Sequence, residues 1–597
     1  MFDRFLRNFK PKSIRSTTLH RTISPSKFPR IQSTALINDP LEQQELKYSR
    51  LLQRSGETNS LDLSTSIHAN LIKQSLLSSL FLHNHLLISY FKCADTDEAL
   101  KAFEEIPIKN VVSWTAAVAG LAQRGLAGKS IALFRSMRRS SVPPNEFTLV
   151  SALNACALSE NSFEASQVYA LVVRYGFETN VYLSNAFVTA LVRDGRLREA
   201  ERLFERCGGA ERDTVSWNAL IAGYLQHSSA DVWGFWCRMV REGVRPDAFT
   251  FSTVFTGLAE VPSLRNGGQV HAQLVKYGHG SDLCVGNSLA DMYLKSQCLI
   301  DGRKAFEEMA YKDVVTWTQM ASGSLLCGQP KMAFELVEQM RLMGVEPNKF
   351  TLVVAFTACA NMAALERGRK AHVWRVKHGF DVDECVDNAL VDMYSKCGCT
   401  DDASKAFCAM GDCRSTVSWT TMITAFAQNG LPQEALSTFD RMVEEGVEPD
   451  RITFVCVLYA CSQGGLVDEA WRCFSSMKRQ HGVDPEEDHY ACMVDLLGKA
   501  GRVAEAEEVI LSMPVEPSSL LWQILLAACQ VHGDMERGKR AAERALALDK
   551  TDSSTYVLLS NMFANSSDWD GARKVREMMA GSEVAKDPGC SWIAVNG

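Results

Sequence analysis

The chain has 597 residues, 46% hydrophobic and 22% charged, with 63 basic against 70 acidic side chains and a net charge of −7. That length suits several domains or one long array, and the acidic balance speaks against unspecific polyanion binding while leaving room for a local basic groove. No apolar run reaches about 18 residues, so no membrane-spanning helix is expected. Nineteen cysteines, an odd count in a long chain, exclude the disulfide framework of a small secreted domain and read as reduced, mostly buried thiols.

Residues 1–38 carry eight Lys or Arg and a single acid, Asp3, among many Ser and Thr. Phe2, Phe5, Leu6 and Phe9 fall on one helical face, with Arg4, Arg7 and Lys10 elsewhere. This is the composition of an organelle transit peptide. The amphipathic start leans towards the mitochondrion; the Ser/Thr stretch Ser13 to Ser26 would also suit a chloroplast.

From there on the chain repeats itself. Ser113-Trp114-Thr115, Ser216-Trp217-Asn218, Thr316-Trp317-Thr318 and Ser418-Trp419-Thr420 place tryptophans 103, 100 and 102 residues apart. A second phrase, close to Asn-x-Leu-x-x-x-Tyr-x-Lys, keeps the same interval at Asn84, Asn287 and Asn388, with a weaker copy at Asn185. Self-similarity at a fixed period marks a stacked-repeat architecture. Each period divides into three units: 111–145, 146–180 and 181–213; then 214–247, 248–282 and 283–313; then 314–348, 349–383 and 384–415; then 416–450, 451–487 and 488–518. One clear short unit, 80–110, and a degraded one near 46–79 precede them.

Each unit reads as a helical hairpin. Trp114, Val118 and Leu121 form a buried stripe at spacings of four and three, Gly125 breaks it, and a second helix carries Ile131, Leu133, Phe134 and Met137. Ser141-Val-Pro-Pro-Asn145 then stops the helix, as do Gly243-Val-Arg-Pro-Asp247, Gly344-Val-Glu-Pro-Asn348 and Gly446-Val-Glu-Pro-Asp450. A lone hairpin cannot cover its apolar face, so neighbours stack into an all-α solenoid, for which the family resemblance given below implies a right-handed superhelical twist. Such an array offers one long groove rather than one pocket.

Tetratricopeptide-like repeats, which hold protein segments, are one possible outcome. The polar pattern points elsewhere. The fifth residue of the units is repeatedly Asn or Thr, and the last is repeatedly Asp, Asn or Ser. A lone Asn near a helix start is ordinarily a cap; recurrence in phase at two positions asks for a further reason.

Phrases such as Asn388-Ala-Leu-Val-Asp-Met-Tyr-Ser-Lys-Cys-Gly and His489-Tyr-Ala-Cys-Met-Val-Asp-Leu-Leu-Gly-Lys-Ala-Gly resemble pentatricopeptide repeats of the plant type that alternates standard, long and short motifs. The resemblance covers about residues 46–597: an array of about 13 repeats to residue 518, then a region, 519–597, similar to the family's E-type extension. Trp522-Gln-Ile-Leu-Leu-Ala-Ala-Cys, Tyr556-Val-Leu-Leu-Ser-Asn and the terminal Pro588-Gly-Cys-Ser-Trp carry that second likeness. In relatives this segment often leads into a cytidine deaminase (DYW-type) domain.

The family reads single-stranded RNA at one base per repeat with two or three side chains. A closing Asp accepts from the N–H that uracil and guanine offer, and a closing Asn can donate to cytosine or adenine. The resemblance adds that Asn at the fifth position goes with pyrimidines and Thr or Ser with purines. Carried over, Asn84/Asn110 implies a pyrimidine, Thr115/Asn145 A, Asn185/Asp213 U, Asn218/Asp247 U, Asn287/Asp313 U, Thr318/Asn348 A, Asn388/Ser415 C and Thr420/Asp450 G. The bases facing the long units (Val150/Asn180, Ser252/Asp282, Val353/Asp383, Val455/Glu487) and the last short unit (Cys492/Ser518) stay open. The expected target reads 5′-Y-A-n-U-U-n-U-A-n-C-G-n-n-3′.

No catalytic apparatus is expected. A zinc cytidine deaminase needs His-x-Glu and Pro-Cys-x-x-Cys, and neither occurs in this sequence. Cys397-Gly-Cys399 and His83-Asn-His85 sit inside repeats, and no phosphate loop or Ser/His/Asp arrangement stands out. Arg193, Arg196, Arg198, Arg202 and Arg206 form either a solvated helix face or a phosphate-holding patch. The resemblance therefore implies a monomeric, cofactor-free editing specificity factor. It would bind organellar RNA, have no membrane partner, and recruit a DYW-type deaminase and other editing proteins in trans. Stabilisation, splicing or translation of organellar RNA is the alternative, and a tetratricopeptide-like protein scaffold is the second.

Overall fold

The computed structural model describes residues 40–582, apart from 94, 160–161, 207–211, 378 and 380–382. The proposed transit peptide and the terminal phrase Pro588 to Trp592 lie outside the described residues. Among the described residues the secondary structure is helical throughout, with no strand. None of these helices is long and apolar enough to cross a membrane. The chain divides into two compact bodies, Met1–His227 and Ser228–Gly597.

The N-terminal body opens with helices Pro40–Thr58 and Leu61–Lys73, at the place of the degraded unit, followed by Leu80–Lys92 and Thr96–Glu104. Hairpins Val111–Gln123 with Ala127–Arg139 and Glu146–Leu158 with Ser162–Arg174 come next. Val181–Arg193 with Leu197–Arg206 follows, and Thr214–His227 closes the body. Each first helix before Thr214–His227 packs on its own second helix and on the first helix of the next unit, so one apolar core runs along the stack. The C-terminal body repeats this layout from Val232–Arg241 and Ala248–Glu260 to Trp569–Gly581.

The recurring tryptophan has a structural task. Phe103 meets Trp114 edge-on at 5.0 Å, and Phe204 meets Trp217 at 4.8 Å. In the C-terminal body Phe306 meets Trp317 at 5.0 Å and Phe407 meets Trp419 at 4.9 Å. Each pair joins the second helix of a short unit to the next standard unit, a geometry worth about 0.5–1.5 kcal/mol beyond area burial. A cation covers the Phe ring in every case: Lys109, Arg212, Lys312 and Arg414. Lys109 and Lys312 also donate to Ile106 O (2.7 Å) and Met309 O (2.6 Å), meeting carbonyls at a helix end.

The long units dock on the short ones through a second recurring pair. His68 Nδ1 lies 2.8 Å from Tyr90 Oη; in the other body His271 and Tyr293 are 2.8 Å apart and His372 and Tyr394 2.9 Å. Where the first helices of standard units cross their neighbours, close approach selects glycine. A Cβ at Gly323 would sit 2.4 Å from Leu294 Cδ1. The terminators match the sequence pattern: Gly243, Gly344 and Gly446 hold φ near +76°, and Ser141 occupies the matching place at φ +59° without glycine's freedom.

Two expectations change. Helix Glu487–Lys499 begins one residue before the unit assigned from sequence, so the boundaries become 451–486 and 487–518. The fifth residue of that last unit is then Ala491 rather than Cys492, and Glu486 rather than Glu487 closes the long unit. The shift is hard to see in the sequence because the residue at the cap is a Glu, uncommon there. The cysteines are free thiols as expected, but six of the seventeen described are buried, seven half-buried and four exposed. Burial pushes Cys359 and Cys461 to about 12, which keeps them as inert thiols.

Candidate nucleic-acid interface

The closing residue of one unit is the N-cap of the next. Asn110 Oδ1 accepts from Ser113 N (2.9 Å), Asn145 Oδ1 from Thr148 N (2.9 Å) and Asp213 Oδ1 from Ser216 N (2.9 Å). In the C-terminal body Asp247, Asp313, Asn348 and Asp450 cap Thr250, Thr316, Thr351 and Thr453, and Ser415 accepts from Val417 N at 3.1 Å. Capping alone accounts for Asp, Asn and Ser at this position, at about 0.5–2 kcal/mol each.

The cap also fixes which atom faces outward. With Oδ1 bound to the backbone, Asn145 and Asn348 present Nδ2–H, a donor, while Asp213, Asp313 and Asp450 present a second carboxylate oxygen, an acceptor. Asn and Asp therefore carry opposite polarity at the same place.

The fifth residue is tied to the cap through the third residue of the following unit. Thr115 Oγ1 lies 2.6 Å from Thr148 Oγ1, which lies 2.7 Å from Asn145 Oδ1. Thr318, Thr351 and Asn348 repeat the relay at 2.8 and 3.0 Å, and Thr420, Thr453 and Asp450 at 2.8 and 2.8 Å. The two positions singled out in the sequence thus form one contiguous polar site in these standard units.

Asparagines at the fifth position behave differently. Asn84, Asn287 and Asn388 each hold a buried Oδ1 with no hydrogen-bond partner. An unmet buried amide oxygen is costly and calls for an explanation such as a ligand. Asn185 is half-buried in Val181–Arg193. Asn218 is buried in Thr214–His227 of the N-terminal body; its closing partner Asp247 belongs to the C-terminal body.

The long units offer less to such contact. Val353 is buried, Ser252 Oγ is held 2.9 Å from Ser288 Oγ, and Val150 and Val455 are half-buried. Three of their four caps are also occupied: Asn180 Nδ2 donates to Glu146 at 2.5 Å, Lys349 Nζ donates to Asp383 Oδ2 at 2.9 Å, and Arg451 pairs with Glu486. Burial works to raise the Asp383 carboxyl, but the Lys349 ammonium and the capped amides outweigh it and hold it below the usual carboxylate range.

Two further positions stand out, one of them the Lys that ends the recurring Asn-x-Leu-x-x-x-Tyr-x-Lys phrase. In nine first helices the second residue is a large apolar side chain left in solvent: Phe81, Val112, Phe147, Tyr182 and Val215 in the N-terminal body, Phe249, Val315, Phe350 and Val417 in the C-terminal one. Tyr182 is 64% exposed, and aromatic rings standing out at one recurring place are a signal of stacking on a ligand. The sequence does show Val and Phe recurring at that place, but spacing alone does not say that they face solvent. The other is the last residue of the short units' first helices, Lys92, Arg193, Lys295, Lys396 and Lys499, one cation per period. Lys295, Lys396 and Lys499 pair with Asp291, Asp392 and Asp495 one turn earlier. Of the arginine cluster, Arg196 pairs with Glu199 while Arg198, Arg202 and Arg206 stand in solvent. No group of three His, Cys, Asp or Glu able to hold a metal is found among the described residues.

Comparison with known proteins agrees with the stacked repeat hairpins. Residues 212–260, 312–361 and 414–463 match the PPR repeat family; 112–142, 183–208, 388–414, 452–481 and 488–516 match the PPR repeat; and 532–594 match the E motif. The chain is 37% identical over 562 residues to pentatricopeptide repeat-containing protein At4g33170 of Arabidopsis thaliana, covering 94% of this chain but 56% of that relative. It is 36% identical to the chloroplastic At3g49170 of the same plant, over 84% of this chain and 59% of that one. It is 32% identical to the mitochondrial At3g53360, over 94% of this chain and 73% of that one. The chain thus spans little more than half the length of some relatives it matches. In fold it is similar to the crystal structure of maize PPR10 in complex with an 18-nt psaJ RNA element, with a TM-score of 0.55, 17% identity and 90% of this chain and 84% of that one covered. With helix hairpins stacked as those repeats require and matches along the array and its extension, the chain belongs to the pentatricopeptide repeat family and carries an E motif.

Proposed function

We propose that this protein binds one sequence of single-stranded organellar RNA and marks a cytidine for C-to-U editing, with a deaminase-bearing partner supplied in trans. The observation that carries the reading is the joined polar site of the standard units 111–145, 314–348 and 416–450, in which the cap presents a donor from Asn or an acceptor from Asp beside the fifth residue. Those units give Thr115/Asn145, Thr318/Asn348 and Thr420/Asp450 as base-contacting pairs, and the sequence pattern extends the role to Asn84/Asn110, Asn185/Asp213, Asn218/Asp247, Asn287/Asp313 and Asn388/Ser415. Exposed second-position side chains stack on the bases, and the phased cations meet phosphates, which position without specifying. The PPR10–RNA complex supports RNA as the ligand, and the E motif favours editing over stabilisation. The chloroplastic and mitochondrial relatives support an organellar address.

Sequencing organellar RNA from plants lacking the protein tests this. Loss of editing at one or a few cytidines preceded by 5′-Y-A-n-U-U-n-U-A-n-C-G-n-n-3′, the pattern implied by the fifth and closing residues, is expected. Intact editing with altered transcript ends or retained introns would replace the reading with stabilisation or splicing.

A further inference from the structure

Five units among those described open on an ionisable residue, and in all five that residue is bonded to the one that closes the same unit. Asn180 meets Glu146, Asp383 meets Lys349 and Glu486 meets Arg451 in long units. In the short units Ser415 Oγ donates to Glu384 and Ser518 Oγ donates to Glu487, both 31 residues apart. The opening residue therefore chooses what the closing residue has left to offer.

For a serine the consequence is sharp. A hydroxyl has one proton and two lone pairs. The Ser415 proton goes to the Glu384 carboxylate, which can only accept, while its oxygen takes the Val417 N–H at 3.1 Å and faces the Ser418 N–H in a capping box. What remains is an oxygen with no proton to give, able to act only as an acceptor. Asn388 lies one turn after Glu384 and so shares its helix face, with a buried Oδ1 lacking a partner. A serine free to donate could meet the ring acceptor of cytosine. The serine built here meets an N–H.

Resting on the RNA-reading function proposed above, we infer that Glu384 is a specificity-determining residue. It converts Ser415 into an acceptor, so the nucleotide facing Asn388/Ser415 is read as uracil rather than the cytosine implied by those two residues alone. The opening position of a unit thereby joins the fifth and closing positions wherever it is charged.

The test is a binding series of the full chain against single-stranded RNA of the expected pattern, with A, C, G or U at that nucleotide. Wild type should favour U over C by roughly tenfold, the size of one charge-assisted hydrogen bond. Glu384→Leu imports the residue that opens the matching short unit at Leu283 and should abolish or reverse that preference. The choice at the nucleotide facing Thr420/Asp450 should not change. Ser415→Ala should lose the same discrimination, and the double variant should lose no more than either single one, because Glu384 acts through Ser415. A wild-type preference for C, a U preference that survives Glu384→Leu, or additive losses would overturn the inference while leaving the RNA-reading function in place. Absence of discrimination at every nucleotide would overturn both.

Discussion

Standard and long units use the same cap and put it to different ends. In three standard units the cap keeps one atom for a ligand, and the fifth residue is a hydroxyl linked to it, as in Thr318, Thr351 and Asn348. In the neighbouring long unit the fifth residue is the buried Val353 and the free atom of Asp383 is bound by Lys349. Periodic capping therefore says how the helices begin, and only the side chains around the cap say whether a unit can read a base.

The largest effect should come from the standard unit's anchor. Trp419 is fully buried and packs edge-on against Phe407, so Trp419→Ala should cost about 3–5 kcal/mol, read as a lowered midpoint in urea unfolding. An unchanged midpoint would mean that the standard units do not depend on this joint.

Next comes the exchange of identities. Thr318→Val gives a standard unit the fifth residue of a long one and should reduce discrimination at its nucleotide by roughly tenfold in a four-base binding series. The reciprocal pair, Val353→Thr with Lys349→Val, should create a preference where the long unit had none. If neither exchange moves base choice, the contrast between the two kinds of unit is structural only. Asn218→Thr should have a subtler effect, turning a preference for U towards G without weakening overall binding, in the same series.

The smallest effect concerns the long-to-short joint. Burial holds His271 and His372 below their usual value of 6.5. The unfolded chain then binds protons that the folded chain refuses, so stability falls as pH drops below about 6.5 and continues to fall towards the lower folded values. Unfolding midpoints at pH about 7.5 and about 5.5 should diverge, and His271→Gln should narrow the gap. A gap of the same size in the variant would remove His271 from the account.

Much of the fold is legible in the amino-acid order. Tryptophan spacing sets the period, Pro-x and Gly-Val-x-Pro mark the helix ends, and residue type alone distinguishes the fifth and closing positions. The one-residue shift at 487 shows where that legibility stops. Glu486 is not a residue that announces a cap, and one position of register moves Ala491 into the place assigned to Cys492.

What the sequence determined by itself is whatever follows from local chemistry: hairpins of helices, their caps, and the repeat that obliges them to stack. What only the tertiary structure decided is which polar atoms remain unspent. A cap looks the same in sequence whether its second atom is free, as in Asp313, or held by a residue 34 positions earlier, as in Asp383. The physical reason is that one helical hairpin brings the opening and closing residues of a unit together, and a hydrogen bond formed there consumes a donor or acceptor that a ligand would otherwise meet.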